Sequence, residues 1–237
     1  MSAFAYDLHI HSCLSPCGDA DMTPQNIAGM ASLNGLKIIA LTDHNTVANC
    51  PAFLKAAEAY GICALAGMEL TTAEEIHMLC LFPDLERAEM FESYVTEHRV
   101  CFPNKPDIFG EQTVLDERDE ILRTIPYLLP PATKLTVDEA VAKVRELDAF
   151  ICPAHIDKKS NAMVEILGTV PPEYGFSRVE SHGRPDAAFI SRHGLDQTKI
   201  LYNSDAHYLW DISEGNNCLH LDTQTPTAVD VIRCLLS

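Results

Sequence analysis

From Ala5 to Asn45 the chain reads AYDLHIHSCLSPCGDADMTPQNIAGMASLNGLKIIALTDHN. Ala5 to His11 reads as a strand, and Thr23-Pro24 then offers an N-cap with Pro at the first helical position. The helix opened there is expected to run to about Asn34, with Gly35 as its stop. Leu36 to Thr42 follows as a second strand, near-continuously apolar and therefore buried on both faces. A strand, a helix and a strand in this order predict a parallel pair joined by a crossover helix.

The alternation continues outward from this unit. Pro51 to Tyr60 is an Ala-rich helix ended by Gly61, and Ile62 to Leu70 and Ile76 to Phe82 are strands. Helices follow at Asp84 to about Arg99 and at Thr136 to Leu147, then strands at Ala149 to His155, Arg178 to Glu180 and Lys199 to Asn203. A last helix opens at Thr225-Pro226. Such repetition predicts an α/β fold with a mainly parallel sheet, open or closed into a barrel. Between Cys101 and Thr133, Pro residues and the charged stretch Asp116 to Arg123 interrupt the pattern. This reads as an excursion inserted in a single domain over 1–237, because it is too short for a core of its own.

Composition bounds the function. The 237 residues carry a formal charge of −17 and are 47% hydrophobic, which excludes disorder as the main state. The acid excess argues against long nucleic acid and against anionic membranes, since both need Lys and Arg. No Lys or Arg precedes Lys37, and no apolar run is long enough to cross a bilayer. Most of the nine Cys lie in apolar segments, as reduced thiols in a cytoplasm do. Cys13 and Cys17 stand near a His cluster, but no second Cys pair follows at the spacing of a zinc finger.

The placement of the ten His carries the chemistry. His9 and His11 are alternate residues of one strand, so both imidazoles can reach one cation. Asp43-His44 follows the second strand, Glu69 ends the third, and His77 lies in the fourth. His155 ends a later strand, and Asp205 with His207 repeats the i, i+2 spacing after the last. One such residue is usually an ordinary hydrogen-bonded His. Six strand ends carrying metal-competent side chains point to a metal centre where parallel α/β folds place their chemistry.

The phrases D-L-H-I-H-S (7–12), L-T-D-H-N (41–45), G-M-E-L (67–70), P-A-H-I-D (153–157) and S-D-A-H (204–207), with His77, resemble the PHP (polymerase and histidinol phosphatase) domain family. The resemblance covers essentially the whole chain. It implies a distorted (β/α)7 barrel with two or three divalent ions, Zn, Mn or Fe, at its C-terminal mouth. His9, His11, His44, Glu69, His77, His155, Asp205 and His207 are then the ligands, with Glu69 bridging two ions. A further ligand follows the H-x-H pair in the family, and Asp19 is the choice here, with Asp21 close behind. Asp43 is expected to support His44 or a bound water. Glu180 or His182 fills another ligand position, or else faces substrate or solvent.

The implied activity is phosphoester hydrolysis by a metal-activated hydroxide. Asp205, His207 and His182 are candidates to protonate the leaving group. Lys158, Lys159 and Arg184 sit beside ligand phrases and are candidate phosphate donors. The 101–133 excursion is a candidate lid, with Arg118 and Arg123 facing substrate. The leading expectation is a phosphoesterase of a small phosphorylated metabolite or nucleotide. A nuclease acting on nucleic acid ends and an inactive regulatory module are the alternatives. Three divalent ions would bring the charge from −17 to about −11, which favours a small substrate.

Overall fold

The computed structural model describes all residues 1–237. In chain order the elements are β1 (Ser2–Ile10), α1 (Pro24–Leu33), β2 (Ile38–Leu41), α2 (Cys50–Ala59), β3 (Cys63–Thr71), β4 (His77–Phe82) and α3 (Leu85–Glu97). Then come α4 (Pro106–Phe109), β5 (Thr113–Leu115), β6 (Ile121–Thr124), α5 (Val137–Glu146), β7 (Phe150–Pro153), α6 (Met163–Leu167) and β8 (Val179–Ser181). The chain ends with α7 (Ala187–Arg192), β9 (Ile200–Tyr202), β10 (Cys218–Leu221) and α8 (Ala228–Leu235). Local chemistry sets several boundaries. Thr23 caps α1, and Thr136 with Glu139 forms a capping box at the start of α5. Gly35 and Gly61 follow the first two helices at φ of 75° and 65°, a conformation glycine adopts without strain.

Six strands form one curled sheet in the order β10-β1-β2-β3-β4-β7, and β8-β9 and β5-β6 form two separate pairs. β1, β2 and β3 are parallel, as the opening β–α–β unit predicts. The wider expectation of a mainly parallel (β/α)7 barrel needs correction. β3 turns straight into an antiparallel β4 with no helix between them, and β10 returns antiparallel to β1. A five-residue turn is far too short for the crossover that a parallel pair requires. The β8-β9 pair is tied to the sheet at both ends, by Ile156 N–H to Glu180 O (2.9 Å) and His11 N–H to Ala206 O (3.0 Å).

Alternate residues divide the core by face. Ile39, Leu41, Met68, Leu70, Met78 and Cys80 pack in the cluster under α1, α2, α3 and α5. Tyr6, Leu8, Ile38, Ala40, Leu65, Leu79, Leu81 and Phe150 pack on the opposite face, beneath α8. β1 changes this parity. Its register with β2 shifts between Asp7 and Ile10, so Ile10 joins the helix-side cluster whereas Leu8 belongs to the other. His9 and His11 thereby take over the face that Tyr6 and Leu8 occupy further down.

The 101–133 excursion folds as α4 and the β5-β6 hairpin. It is anchored to the turn that follows β1. Asn49 donates to Thr113 O (3.2 Å) and to Ser12 Oγ (3.0 Å), and its Oδ1 accepts from Leu115 N–H (2.9 Å). Leu14 completes a small core with Val114, Ile125 and Leu129. Arg118 and Arg123 are exposed. No helix of the protein is long and apolar enough to cross a membrane.

Candidate metal centre

Glu69 lies at the middle of a ring of imidazoles. Its Oε1 faces His77 Nδ1 (2.7 Å), His155 Nε2 (2.8 Å) and His9 Nε2 (3.6 Å), while Oε2 faces His44 Nδ1 (3.0 Å) and His11 Nε2 (3.3 Å). Asp205 Oδ1 reaches the same place from the far side, 3.3 Å from His9 Nε2 and 3.2 Å from His11 Nε2. All these groups gather at one end of the strands of the sheet. His77 arrives there at the first residue of its strand, not near the end, because β4 runs antiparallel to β3. His155 and Asp205 are turned inward by left-handed backbone at φ of 28° and 52°. Such conformations are strained in residues other than glycine and gather at functional sites.

The donor set fits cations. His9, His11, Glu69 and Asp205 form one group of four, and His44, Glu69 and His77 form another that shares the Glu69 carboxylate. In the first group the contacts of the two imidazoles with each other, with Asp205 Oδ1 and with one or other Glu69 oxygen run from 3.1 to 3.6 Å. A tetrahedral ion about 2.0–2.2 Å from each ligand requires edges of roughly 3.3–3.6 Å. Asp205 Oδ1 is buried without a hydrogen-bond donor. His44 Nδ1 is close to Glu69 but misdirected for a hydrogen bond to it. Groups left so cost free energy unless something positive stands between them.

The surrounding residues fix which nitrogen each ring presents. His9 Nδ1 donates to Glu180, at 2.9 and 3.0 Å from the two carboxylate oxygens. Glu180 is held in turn by His155 N–H (3.0 Å) and Asn203 Nδ2 (2.9 Å). It stands behind His9, away from the donor groups, and leaves His9 Nε2 free for the site. Asp43 acts on His11 instead of His44. It accepts from Ser12 Oγ (2.6 Å) and Ser15 Oγ (2.7 Å), and Ser15 Oγ lies 3.1 Å from His11 Nδ1.

Protonation follows from this crowding. Burial alone would lower the His11 and His44 pKa values, but Asp205 and Glu69 beside His11, and Glu69 beside His44, raise each to about 9. Burial would raise the carboxyls, yet the surrounding imidazoles hold Glu69 and Asp205 well below the usual carboxylate range. Burial together with the His11 charge pushes His207 down to about 4.

The remaining expected residues are distributed around this cluster. Asp19 is half-buried and its Oδ1 accepts from Asp21 N–H (2.9 Å), outside the donor groups, while Asp21 is exposed. Cys17 is the residue of that turn that approaches the imidazoles, in a group with His11, His44 and His207. The family resemblance points to an Asp or His at this ligand position, whereas Cys17, close in sequence to the H-x-H pair, is the readable signal for the residue that stands there. Lys158 is half-buried and paired with Asp205, whereas Lys159, His182 and Arg184 are exposed. His182 and Arg184 line a cavity of about 520 Å³ together with Tyr202, Asp205, Asn216 and Asn217. The Arg184 guanidinium lies 4.7 Å over the Tyr202 ring and donates to Asn217 (3.1 Å).

The lesion-specific endonuclease PfuEndoQ from Pyrococcus furiosus superposes over 99% of this chain and 56% of its own, with a TM-score of 0.69 and 20% identity. Endonuclease Q has also been solved with a 27-mer duplex substrate carrying an abasic lesion at its active site; it matches 98% of this chain and 56% of its own, with a TM-score of 0.68 and 20% identity. In sequence, a 5'-3' exoribonuclease of Haemophilus influenzae is 34% identical over 88 residues, 36% of this chain and 31% of that protein. An uncharacterized protein of Methanocaldococcus jannaschii is 33% identical over 90 residues, 34% of this chain and 53% of its own length. The chain therefore spans about half, or less, of the length of these relatives. The duplex-bound neighbour overturns the expectation that long nucleic acid is not a partner. Net charge is summed over the whole surface, whereas in salt a phosphate senses charges within about 8 Å. The model of the PHP domain matches residues 7–153, which span β1 to β7 and hold all the donors except His155, Asp205 and His207, and the chain belongs to the PHP domain family.

Proposed function

We propose that the protein is a metal-dependent phosphodiesterase that hydrolyses nucleic acid, with His9, His11, His44, Glu69, His77, His155, Asp205 and His207 as metal ligands. The observation that carries this reading is the cavity whose wall is Asp205. Its 520 Å³ lies within the ~300–1,000 Å³ of small-molecule sites, room for a nucleotide and not only a phosphate. Tyr208 and Trp210 support it: they stack at 4.9 Å and 16° just after His207, with Trp210 75% exposed. Bases of any sequence stack on such a platform.

Divalent cations in this donor set supply Lewis acidity, making a water nucleophilic at neutral pH and neutralising charge on a phosphoryl group. The chain's own side chains do the rest. Lys158 keeps its proton, because Asp205 outweighs the burial that works against its charge, and it serves as a fixed cation for a phosphoryl oxygen. Arg184, positioned by Tyr202 and Asn217, takes a neighbouring phosphate, and Lys159 lies further out. Asp205 does not protonate the leaving alkoxide, since its carboxyl stays ionised. His182 takes that role: it lines the cavity, and only its backbone is engaged, in a hydrogen bond to Asp157 (2.8 Å).

A single phosphorylated nucleotide is the second reading, favoured by the same cavity. Assays on single-stranded RNA, single-stranded DNA, duplex with an abasic site, and mononucleotides separate the two. Oligonucleotide cleavage that stops with chelator and returns with Zn or Mn is expected. Turnover of mononucleotides with every oligonucleotide left intact would replace the first reading by the second.

A further inference from the structure

We propose that Cys17 is a thiolate ligand of a third cation position, shared with His44 and His207, and that it makes this centre thiophilic. The ligand atoms of Cys17, His11, His44 and His207 all lie within 4.8 Å of one another. His44 is more than nine-tenths buried, with its Nδ1 facing Glu69 Oε2 at 3.0 Å. His207 stacks on His11 with ring centroids 4.4 Å apart, and only its Nδ1 is engaged, with the Asp205 carbonyl at 2.8 Å. The sulfur and the three imidazoles thus form one compact cluster of donors.

The backbone holds Cys17 in that position. Ser15 N–H donates to Ser12 O (3.1 Å), Gly18 N–H to Ser15 O (2.8 Å), and Asp19 N–H to His207 O (2.8 Å). The turn closes so tightly that a Cβ on Gly18 would lie 2.4 Å from Ser12 O. Cys17 is thus pinned between the end of β1 and the strand of chain that carries His207. Cys13, four residues earlier, is excluded from the same role: it is buried against Thr113, and burial pushes its thiol up to about 11. An exposed thiol without a task is a liability to oxidation, whereas one beside three imidazoles is a ready soft donor. Thiolate and imidazole favour zinc, cobalt and iron over manganese and magnesium.

This inference rests on the metal-dependent reading above, and its test observes the metal and the sulfur directly. A failed hydrolysis assay leaves it standing, and its own failure leaves hydrolysis standing. The purified chain is stripped with chelator, reloaded with cobalt(II), and its absorption spectrum and metal content are measured. Wild type is expected to show a sulfur-to-cobalt charge-transfer band in the near ultraviolet. Cys17→Ser should lose that band and one ion per chain while keeping the remainder, and Cys101→Ser should keep both. Cys17→Asp should regain the ion count without the band and bind manganese better relative to zinc. As a check that needs no variant, iodoacetamide labelling of Cys17, mapped by mass spectrometry, should slow ~10-fold with zinc and recover with chelator. A band that survives Cys17→Ser, or labelling that zinc leaves unchanged, overturns the proposal.

Discussion

His9 is held from behind by a fully buried carboxylate, and this arrangement makes Glu180 the most informative single residue to change. Glu180→Gln keeps the volume but weakens the acceptor that orients the ring. It should lower metal affinity ~10–100-fold with the fold intact, as measured by competition with a fluorescent chelator. His11 and His44 give a second prediction. With pKa values near 9 in the metal-free chain, both are protonated at pH 7, and a cation must displace those protons. Apparent metal affinity should therefore rise from pH 7 to 9, with proton release detectable in weakly buffered solution. Their pKa values are raised on folding, so the stability they give the metal-free protein is complete below about 6.5 and is lost as pH rises through 9. Melting of chelator-treated protein at pH 6.5 and 9.5 checks the sign, and a higher melting temperature at pH 9.5 would contradict it.

The elements that deliver these residues have little slack. Gly67 shares its face of β3 with Glu69, and a Cβ there would lie 2.8 Å from both Thr42 Cγ2 and Leu81 Cδ2. Gly67→Ala should cost about 1–3 kcal/mol in urea unfolding and disturb the neighbouring Glu69. The strand and helix order was legible because periodicity and caps are local: Thr23, Gly35, Gly61 and Thr136 mark ends that the structure keeps. The direction of β4 was not legible. Ile76 to Phe82 reads the same in either direction, and only the short turn after Thr71 makes the strand antiparallel. The β5-β6 hairpin was hidden for a similar reason, since β6 is wholly exposed and carries no apolar alternation.

For the whole molecule, the charge of −17 limits how nucleic acid binds without forbidding it. If contact is confined to Lys158, Lys159 and Arg184, about three phosphates are neutralised. The slope of log K against log salt for a single strand should then be only about −2. Fluorescence anisotropy with a labelled oligonucleotide over a salt series measures it. A slope near −6 would point to a basic tract outside these three residues. Lys158→Ala should lower kcat/KM by ~10²-fold, the usual effect of removing one preorganised donor, while leaving metal content unchanged.

The sequence by itself determined the chemistry of this protein: which residue types are present, that they sit at strand ends, and that they suit divalent cations. Those features reside in single residues and in a spacing of two along a strand, so they survive without knowledge of the fold. Tertiary structure alone decided their roles. Glu180 and Ser15 became supports, Asp43 acts on His11, and Cys17 stands with the imidazoles where Asp19 had been expected. These outcomes depend on a register shift in β1, on two left-handed residues, and on a turn sealed by Gly18. Each moves a side chain by a few ångströms, enough to separate a ligand from its support, and no pattern along the chain records such distances.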